Sequence, residues 1–374
     1  MPRRSLHRST ELPRHQALRM LQHNLLRVRH LARTLSRSSS STPVPMQCVI
    51  AENKKCAVVE RPVPEPQGRE VLVKVHHSAL NRADTLQRKG AYPPPPGVTD
   101  ILGLEMAGEV VRCGTAVEGA WQPGQRVMSL LAGGGYAQYC AADERLLMPV
   151  PDGVDLAVAG ATPETWLTAF QLLTKVGEVQ AGDTVLVHAA GSGVGIAATQ
   201  LAIGLGARVV AVAGADSKLE HARSLGAFAT VNYKAVPEFA DAVLEATGGA
   251  GANLVLDPVG GGGHMAQNCR AIATEGRWVL YGLMGGVEPQ GALLGTILRK
   301  RITIRGTTLR ARSIEYKAAL IAAFSQHALP KLADGSYAVE VDRAFDLADV
   351  NAAHELMESN ATLGKIVLNM SHDE

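Results

Sequence analysis

The run Val187-His188-Ala189-Ala190-Gly191-Ser192-Gly193-Val194-Gly195 has the composition of a phosphate-binding turn. Its glycines let backbone N–H groups approach a pyrophosphate, and a helix starting at the turn would present its positive end to that anion. Tight packing of strand on helix also needs small residues, and the run departs from strict G-x-G-x-x-G, so the turn alone does not decide. Its surroundings carry more. Residues 184–188 read as an apolar strand, 194–204 as an Ala-rich helix and 208–213 as a second strand, which together make a βαβ unit of the dinucleotide-binding kind. The end of the second strand selects the cofactor, because an acidic side chain there binds the ribose 2′-OH of NAD and repels a 2′-phosphate. Here the strand runs into Gly214-Ala215-Asp216-Ser217-Lys218. Lys218 offers a cation and Tyr233 a hydroxyl, which favours NADPH. Asp216 is the opposing residue, placed two positions beyond Gly214 and so past the point that meets the ribose. Taken by themselves, Lys218 and Tyr233 are residue types that more often stand as solvated surface.

Other reactive side chains form no constellation. The five cysteines (Cys48, Cys56, Cys113, Cys140 and Cys269) contain no C-x-x-C spacing and read as reduced packing residues. His76 and His77 are adjacent, so on a strand they face opposite ways and share no metal. His188 closes a buried strand and reads as a satisfied core histidine. His264, after the glycine run 260–263, has no identifiable partner, and no Ser/His/Asp or Cys/His set is present.

These residues need a scaffold. Residues 46–162 read as short strands and loops, with β-rich runs at 71–76, 109–112 and 126–131, four prolines at 93–96 and a glycine turn at 133–135. That pattern predicts an irregular β-barrel. From Pro163 the rhythm changes to a helix over 164–176, the βαβ unit, and further apolar strands at 254–257 and 277–282 with helical stretches between them. Such alternation predicts a doubly wound parallel sheet covering 163–309. Residues 310–374 hold a helix-like run at 314–324, another at 354–358 and a strand at 365–369, and are expected to complete the first lobe. The fold class is α/β, in two domains behind a leader.

In the 374-residue chain, 46% apolar residues and 38 glycines exclude disorder and collagen, and no run is apolar and long enough to span a membrane. The formal charge of +2 hides an asymmetry: residues 1–45 hold nine arginines and one acid, Glu11, leaving the remainder at −6. A body without basic excess does not point to nucleic acid as principal partner. The leader itself, Arg- and Ser-rich and poor in acids, resembles a mitochondrial transit peptide. Its alternatives are a basic tail or sequence ahead of a start at Met46, which would leave the protein cytoplasmic.

At Ser78-Ala79-Leu80-Asn81-Arg82-Ala83-Asp84, at Gly103-Leu104-Glu105, at 188–195 and in the longer runs 163–173 and 278–286, the body from about Val49 resembles the zinc-free quinone oxidoreductase branch of the medium-chain dehydrogenase/reductase superfamily. The resemblance implies a GroES-like β-barrel catalytic domain beside a Rossmann domain, a homodimer, and NADPH-dependent reduction of ortho-quinone-like acceptors. Zinc-dependent relatives carry a cysteine where this chain has Asn81 and a histidine where it has Leu104, and an amide and an alkyl group do not replace those ligands. Glu105, retained from that pattern, is expected to be structural. The resemblance further implies cofactor contacts at Ser192, Gly193 and Val194 (pyrophosphate), at Gly214, Lys218 and Tyr233 (adenosine phosphate) and at Thr168 (nicotinamide). It adds Gly282, Leu283, Thr308 and Leu309 mainly through backbone, and Asn360 on the phosphate side.

For the reaction, the resemblance points to Tyr92 as donor to the developing oxyanion, against the reading of Tyr92 as a wall beside the proline loop. Asn81 is expected to hydrogen-bond near the nicotinamide or substrate, and Asp84, placed in the same cleft, to hold the loop. Two other readings compete. One is an NADPH-dependent 2-enoyl thioester reductase, whose members share the fold and a tyrosine at the position of Tyr92. The other, of a different class, is an NADPH-binding structural or RNA-binding protein of the zeta-crystallin kind.

Overall fold

The computed structural model describes residues 44–370 apart from 237 and 292. The leader expected over 1–45 thus lies almost wholly outside the described residues. Strands β1 (Pro45–Glu52) and β2 (Lys55–Pro62) form an antiparallel hairpin whose two-residue turn puts Asn53 and Lys54 at positive φ. Strands β3 (Glu70–Ala79), β4 (Glu105–Cys113), β5 (Arg126–Leu130), β6 (Tyr139–Asp143) and β7 (Leu147–Pro149) build the first lobe.

The second lobe carries β8 (Thr184–Val187), β9 (Arg208–Ala213), β10 (Ala229–Asn232), β11 (Ala252–Asp257), β12 (Ile272–Leu280) and β13 (Thr303–Gly306). These six are all parallel, in the order β10-β9-β8-β11-β12-β13. The order reverses between β8 and β11, which opens a crevice outside the carboxyl ends of those two strands. Both faces of the central strands β8, β9 and β11 are buried, and the strand period of two decides which residue goes where. Val185, Val187, Val209, Ala211, Leu254 and Leu256 pack on one side with the helix Gly193–Gly204, while Leu186, Val210, Val212, Val231, Val255 and Trp278 pack on the other with the helix Phe239–Ala246.

The chain then returns. β14 (Val341–Asp346) and β15 (Lys365–Asn369) join the first lobe, where a seven-stranded sheet runs β14-β15-β3-β4-β5-β7 with β6 also on β3. Two expectations change. The stretch 164–176 is an α-helix only over Pro163–Phe170 and widens into a π-helical turn over Gln171–Val176. Gly177 makes room for it: its N–H bonds to the Leu172 carbonyl five residues back, and a Cβ there would lie 2.5 Å from that oxygen. The helix expected over 314–324 runs from Ile314 to Ala333, because Leu320, Ile321, Phe324, Ala328 and Leu332 extend one apolar stripe through it. That stripe joins a core holding Met128 and Leu130 of the first lobe and Val185 and Leu201 of the second, so the helix bridges the lobes rather than completing one.

Candidate active site

A cleft of about 740 Å³ lies at the crevice. Its floor is the turn after β8. Ser192 caps the helix Gly193–Gly204, its Oγ accepting from the N–H of Gly195 at 3.1 Å. A helix leaves its first-turn N–H groups without intrahelical acceptors, and this cap serves one of them. Those of Gly193 and Val194 remain suited to an anion. The turn is also where the lobes meet. Gly364 N–H donates to the Gly191 carbonyl at 2.9 Å, and a Cβ at Gly193 would lie 2.7 Å from Lys365 Cδ and 2.9 Å from Thr165 Cγ2. No larger residue fits there.

At the adenosine end, the Lys218 side chain crosses Gly191, where a Cβ would sit 2.6 Å from its Cδ, and its ammonium donates to the carbonyl of Asn360 at 2.7 Å. Burial lowers the Lys218 pKa, with Asp342 opposing the shift and Lys234 adding to it. Tyr233 closes over Gly214, whose absent Cβ would lie 2.8 Å from the phenol oxygen. Asp216, the residue that argued against NADPH, accepts from Asn232 Nδ2 at 2.8 Å and does not line the cleft. Asn360 stands at φ +56, and its Oδ1 accepts from Arg82 at 2.6 Å.

Eight of the expected residues line this cleft: Asn81, Ser192, Gly193, Val194, Gly214, Lys218, Tyr233 and Asn360. Five do not. Thr168 is half-buried one turn beyond Thr165, which does; Leu309 is packed in the core; Leu283 is exposed. Gly282 fits against the Pro258 carbonyl, where a Cβ would stand 2.7 Å away, and its neighbours Tyr281, Met284 and Gly285 provide the wall instead. Thr308 likewise falls outside the lining.

The acceptor end requires one correction, at Asp84, and shows what holds Asn81. Asp84 is wholly buried and faces no cleft: its Oδ2 accepts from the N–H of Asn81 at 2.8 Å and from Tyr136 Oη at 3.0 Å, pinning the start of the helix Arg82–Arg88. Its part is positional, not catalytic. Asn81 lines the cleft, but its amide is committed within the protein. Oδ1 accepts from Lys365 Nζ at 2.7 Å, while Nδ2 donates to Glu105 Oε1 at 2.8 Å and to the Ala79 carbonyl at 3.3 Å. Tyr92 lies outside the cofactor cleft, half-buried, its ring 5.3 Å from the guanidinium carbon of Arg310, which also donates to its carbonyl.

Several residues escaped the sequence reading. Lys365, at the start of β15, is buried and gives all three ammonium protons to Leu80 O, Asn81 Oδ1 and Glu105 Oε1, each at 2.7 Å. The one signal was a lysine opening an otherwise apolar strand. Glu105, fully buried, also accepts from the N–H of Glu164 through Oε2 at 2.9 Å. Asp257 takes the N–H groups of Val259 and Gly260 on one oxygen and Asn268 Nδ2 and Trp278 Nε1 on the other, fixing the loop whose Pro258 and Val259 wall the cleft. Because Asn268 donates to Asp257, its Oδ1 accepts from His188 Nε2 at 2.7 Å, and His188, though buried, also lines the cleft. Burial lowers its pKa, with Asp257 opposing. His264 has neighbours after all, its ring meeting those of His188, Tyr233 and Phe239.

Zinc does not suit this donor set. At the two ligand positions stand an amide already bonded to an ammonium and the buried alkyl chain of Leu104, and among the described residues no three His, Cys, Asp or Glu converge on a metal site.

Residues 67–152 match the family described as alcohol dehydrogenase GroES-like domain, and residues 193–326 the family described as zinc-binding dehydrogenase. Quinone oxidoreductase-like protein 2 of Bos taurus is 32% identical over 325 residues, covering 86% of this chain and 91% of its own. The chain belongs to the medium-chain dehydrogenase/reductase superfamily. Within that superfamily its relatives include quinone oxidoreductases: the Escherichia coli enzyme, solved complexed with NADPH, superposes with a TM-score of 0.76 at 27% identity over 87% of this chain and 99% of that one. This medium-chain reductase fold also occurs as a segment of a far longer protein. The chain is 32% identical over 82% of its length to a phenolphthiocerol/phthiocerol polyketide synthase of Mycobacterium tuberculosis, and spans 14% of that protein.

Proposed function

We propose that this medium-chain reductase is an NADPH-dependent, zinc-independent quinone reductase. The observation that carries the reading is a cleft with a lysine ammonium and a tyrosine hydroxyl at the adenosine end and no metal-donor set at the other among the described residues. The names of its quinone oxidoreductase relatives point the same way. NADPH, when bound, supplies the hydride. The protein's share is placement and exclusion of water. The start of the helix Gly193–Gly204 takes the pyrophosphate, Lys218 and Tyr233 the 2′-phosphate, and the Asn81–Lys365–Glu105 network holds the floor rigid. Arg310 and Tyr92 stand on the acceptor side. Two quinone oxygens share the arriving charge, so this reduction needs no Lewis acid.

Turnover by the body from Met46, followed through NADPH absorbance with 1,2-naphthoquinone and separately with a 2-enoyl-CoA, tests the reading. Chelator-resistant quinone reduction is the expected result; turnover of the thioester alone would replace it with an enoyl reductase, and binding without turnover with a binding protein. Lys218→Ala is expected to raise KM for NADPH by about 10- to 100-fold, the worth of one charge-assisted hydrogen bond, and to leave KM for NADH within about 2-fold. Equal losses with both cofactors would remove Lys218 from the phosphate site.

We further place the protein as a homodimer paired through the β13 edge. Ile304 on that strand and Leu294 and Leu298 on the adjoining helix Leu293–Lys300, 82% and 79% exposed, support this. The arginine-rich leader supports a mitochondrial location.

A further inference from the structure

No aspartate or glutamate lines the cofactor cleft among the described residues, whereas four cations do: Arg82, Lys218, Lys234 and Lys365. A wall of one sign suits a polyanion. The four are not equivalent. Lys365 spends its protons on Leu80, Asn81 and Glu105. Lys218 and Lys234 belong to the second lobe, and a Cβ at Gly214 would stand 3.0 Å from Lys234 Cε at the adenosine end. Arg82, the first residue of the helix Arg82–Arg88, has no part in the reading above.

Its guanidinium is half used. Nη2 donates to the Met357 carbonyl at 3.1 Å and to Asn360 Oδ1 at 2.6 Å, both neutral acceptors, while Nε and Nη1 have no hydrogen-bond partner among the described residues. The acid that acts on it, Glu358, is already paired with Arg88 and Lys89. Two routes show what the side chain stands beside. Asn360 also takes Lys218 Nζ on its carbonyl at 2.7 Å, and the Lys218 chain crosses Gly191 at one end of the pyrophosphate turn. Asn81, the residue before Arg82, takes Lys365 Nζ at 2.7 Å, and the Lys365 chain crosses Gly193 at the other end. Arg82 is thus set beside the turn on the lobe opposite to it.

We propose that Arg82 is a pyrophosphate ligand, the first lobe's half of a clamp whose other half is the pair of N–H groups at Gly193 and Val194. Met357 and Asn360 hold the guanidinium ready, and its three unbonded N–H groups donate to phosphate oxygens, which a guanidinium matches well. A bound dinucleotide then ties the lobes together by charge. The proposal rests on the dinucleotide reading of the cleft and is independent of the acceptor.

Calorimetric titration of the full chain with NADPH, NADH and ADP-ribose tests it. R82M should weaken all three by a similar factor, about 10- to 100-fold, because each carries the pyrophosphate. A cation on a phosphate is also screened by salt, so NADH affinity should fall less steeply with added NaCl in R82M than in wild type. R82Q, uncharged but able to keep a hydrogen bond to the Met357 carbonyl, takes the place of R82M should that variant not fold, with the same outcomes. A loss confined to NADPH would move Arg82 to the 2′-phosphate and overturn the proposal. A shared loss with unaltered salt dependence would make Arg82 a brace for Asn360 and overturn it too, as would affinities equal to wild type. A wild type that binds neither dinucleotide removes the cofactor reading itself, and Arg82's part with it.

Discussion

Replacing Lys365 with methionine is expected to lower the unfolding free energy by about 3–5 kcal/mol, read from chemical denaturation at neutral pH. The methionine chain fills similar space, but Glu105, fully buried, then keeps only Asn81 Nδ2 and the Glu164 N–H as partners and loses its counter-charge. Leu80 O and Asn81 Oδ1 lose their donor as well. Removing one member of a buried ion pair is far more damaging than removing both, so the double variant K365M/E105Q should recover most of the loss. NADPH affinity should fall in the single variant too, since the pyrophosphate turn at Gly193 rests against this side chain. A single variant within about 1 kcal/mol of wild type would show that the pair carries no such weight.

Asp84→Asn is expected to act in the opposite direction. Burial pushes the Asp84 carboxyl up to about 6, against the lowering effect of the Asn81 N–H and the Tyr136 hydroxyl. A carboxyl with a raised folded-state pKa binds its proton more tightly folded than unfolded. Its contribution to stability is therefore complete below the unfolded value near 3.8 and is lost as pH rises through about 6. At about 1.4 kcal/mol per unit, the decline amounts to roughly 3 kcal/mol. In D84N one oxygen suffices, because Asn81 N–H and Tyr136 Oη both reach Oδ2 while Oδ1 has no partner among the described residues. The variant should lack this decline and exceed wild type by about 1–3 kcal/mol at neutral pH, with quinone turnover unchanged. The Glu164 carboxyl, raised to about 8, acts in the same sense at higher pH, so D84N removes only the lower part of the curve. A loss of turnover with stability unaltered would return Asp84 to the chemistry.

What the sequence disclosed were features written in consecutive residues. The strand over 208–213 and the strand over 365–369 fall at β9 and β15, because a parallel or central strand buried on both faces is a bare apolar run. The glycine turn, Gly214 and Lys218 are likewise local signals. Where partners stand far apart in the chain, the sequence was silent. Lys365 meets Leu80, Asn81 and Glu105 across 260 to 285 residues, and nothing at either end announces the other. Asn81 was placed in the cleft by its local pattern, but its partners Lys365 and Glu105 were not legible for the same reason. β14 was overlooked because its pattern, Val-Asp-Arg-Ala-Phe-Asp, is mostly exposed and offers little apolar periodicity. The end of the helix Ile314–Ala333 lay beyond Gln326, His327 and Pro330, residues that break a local helical reading while the stripe beneath them continues.

That same helix sets how the protein can breathe. With Met128 and Leu130 packed in one core beside Val185, Leu201 and Phe324, swinging the lobes apart like a clamshell would tear continuous apolar contact. Motion that admits a dinucleotide is then confined to the rim: the carbonyl-bound Lys218, the segment from Ser359 to Gly364 and the loop carrying Met284 and Gly285. Exchange of cofactor becomes a matter of a few side chains and loops yielding in turn, and heating should dissolve both lobes in a single cooperative step.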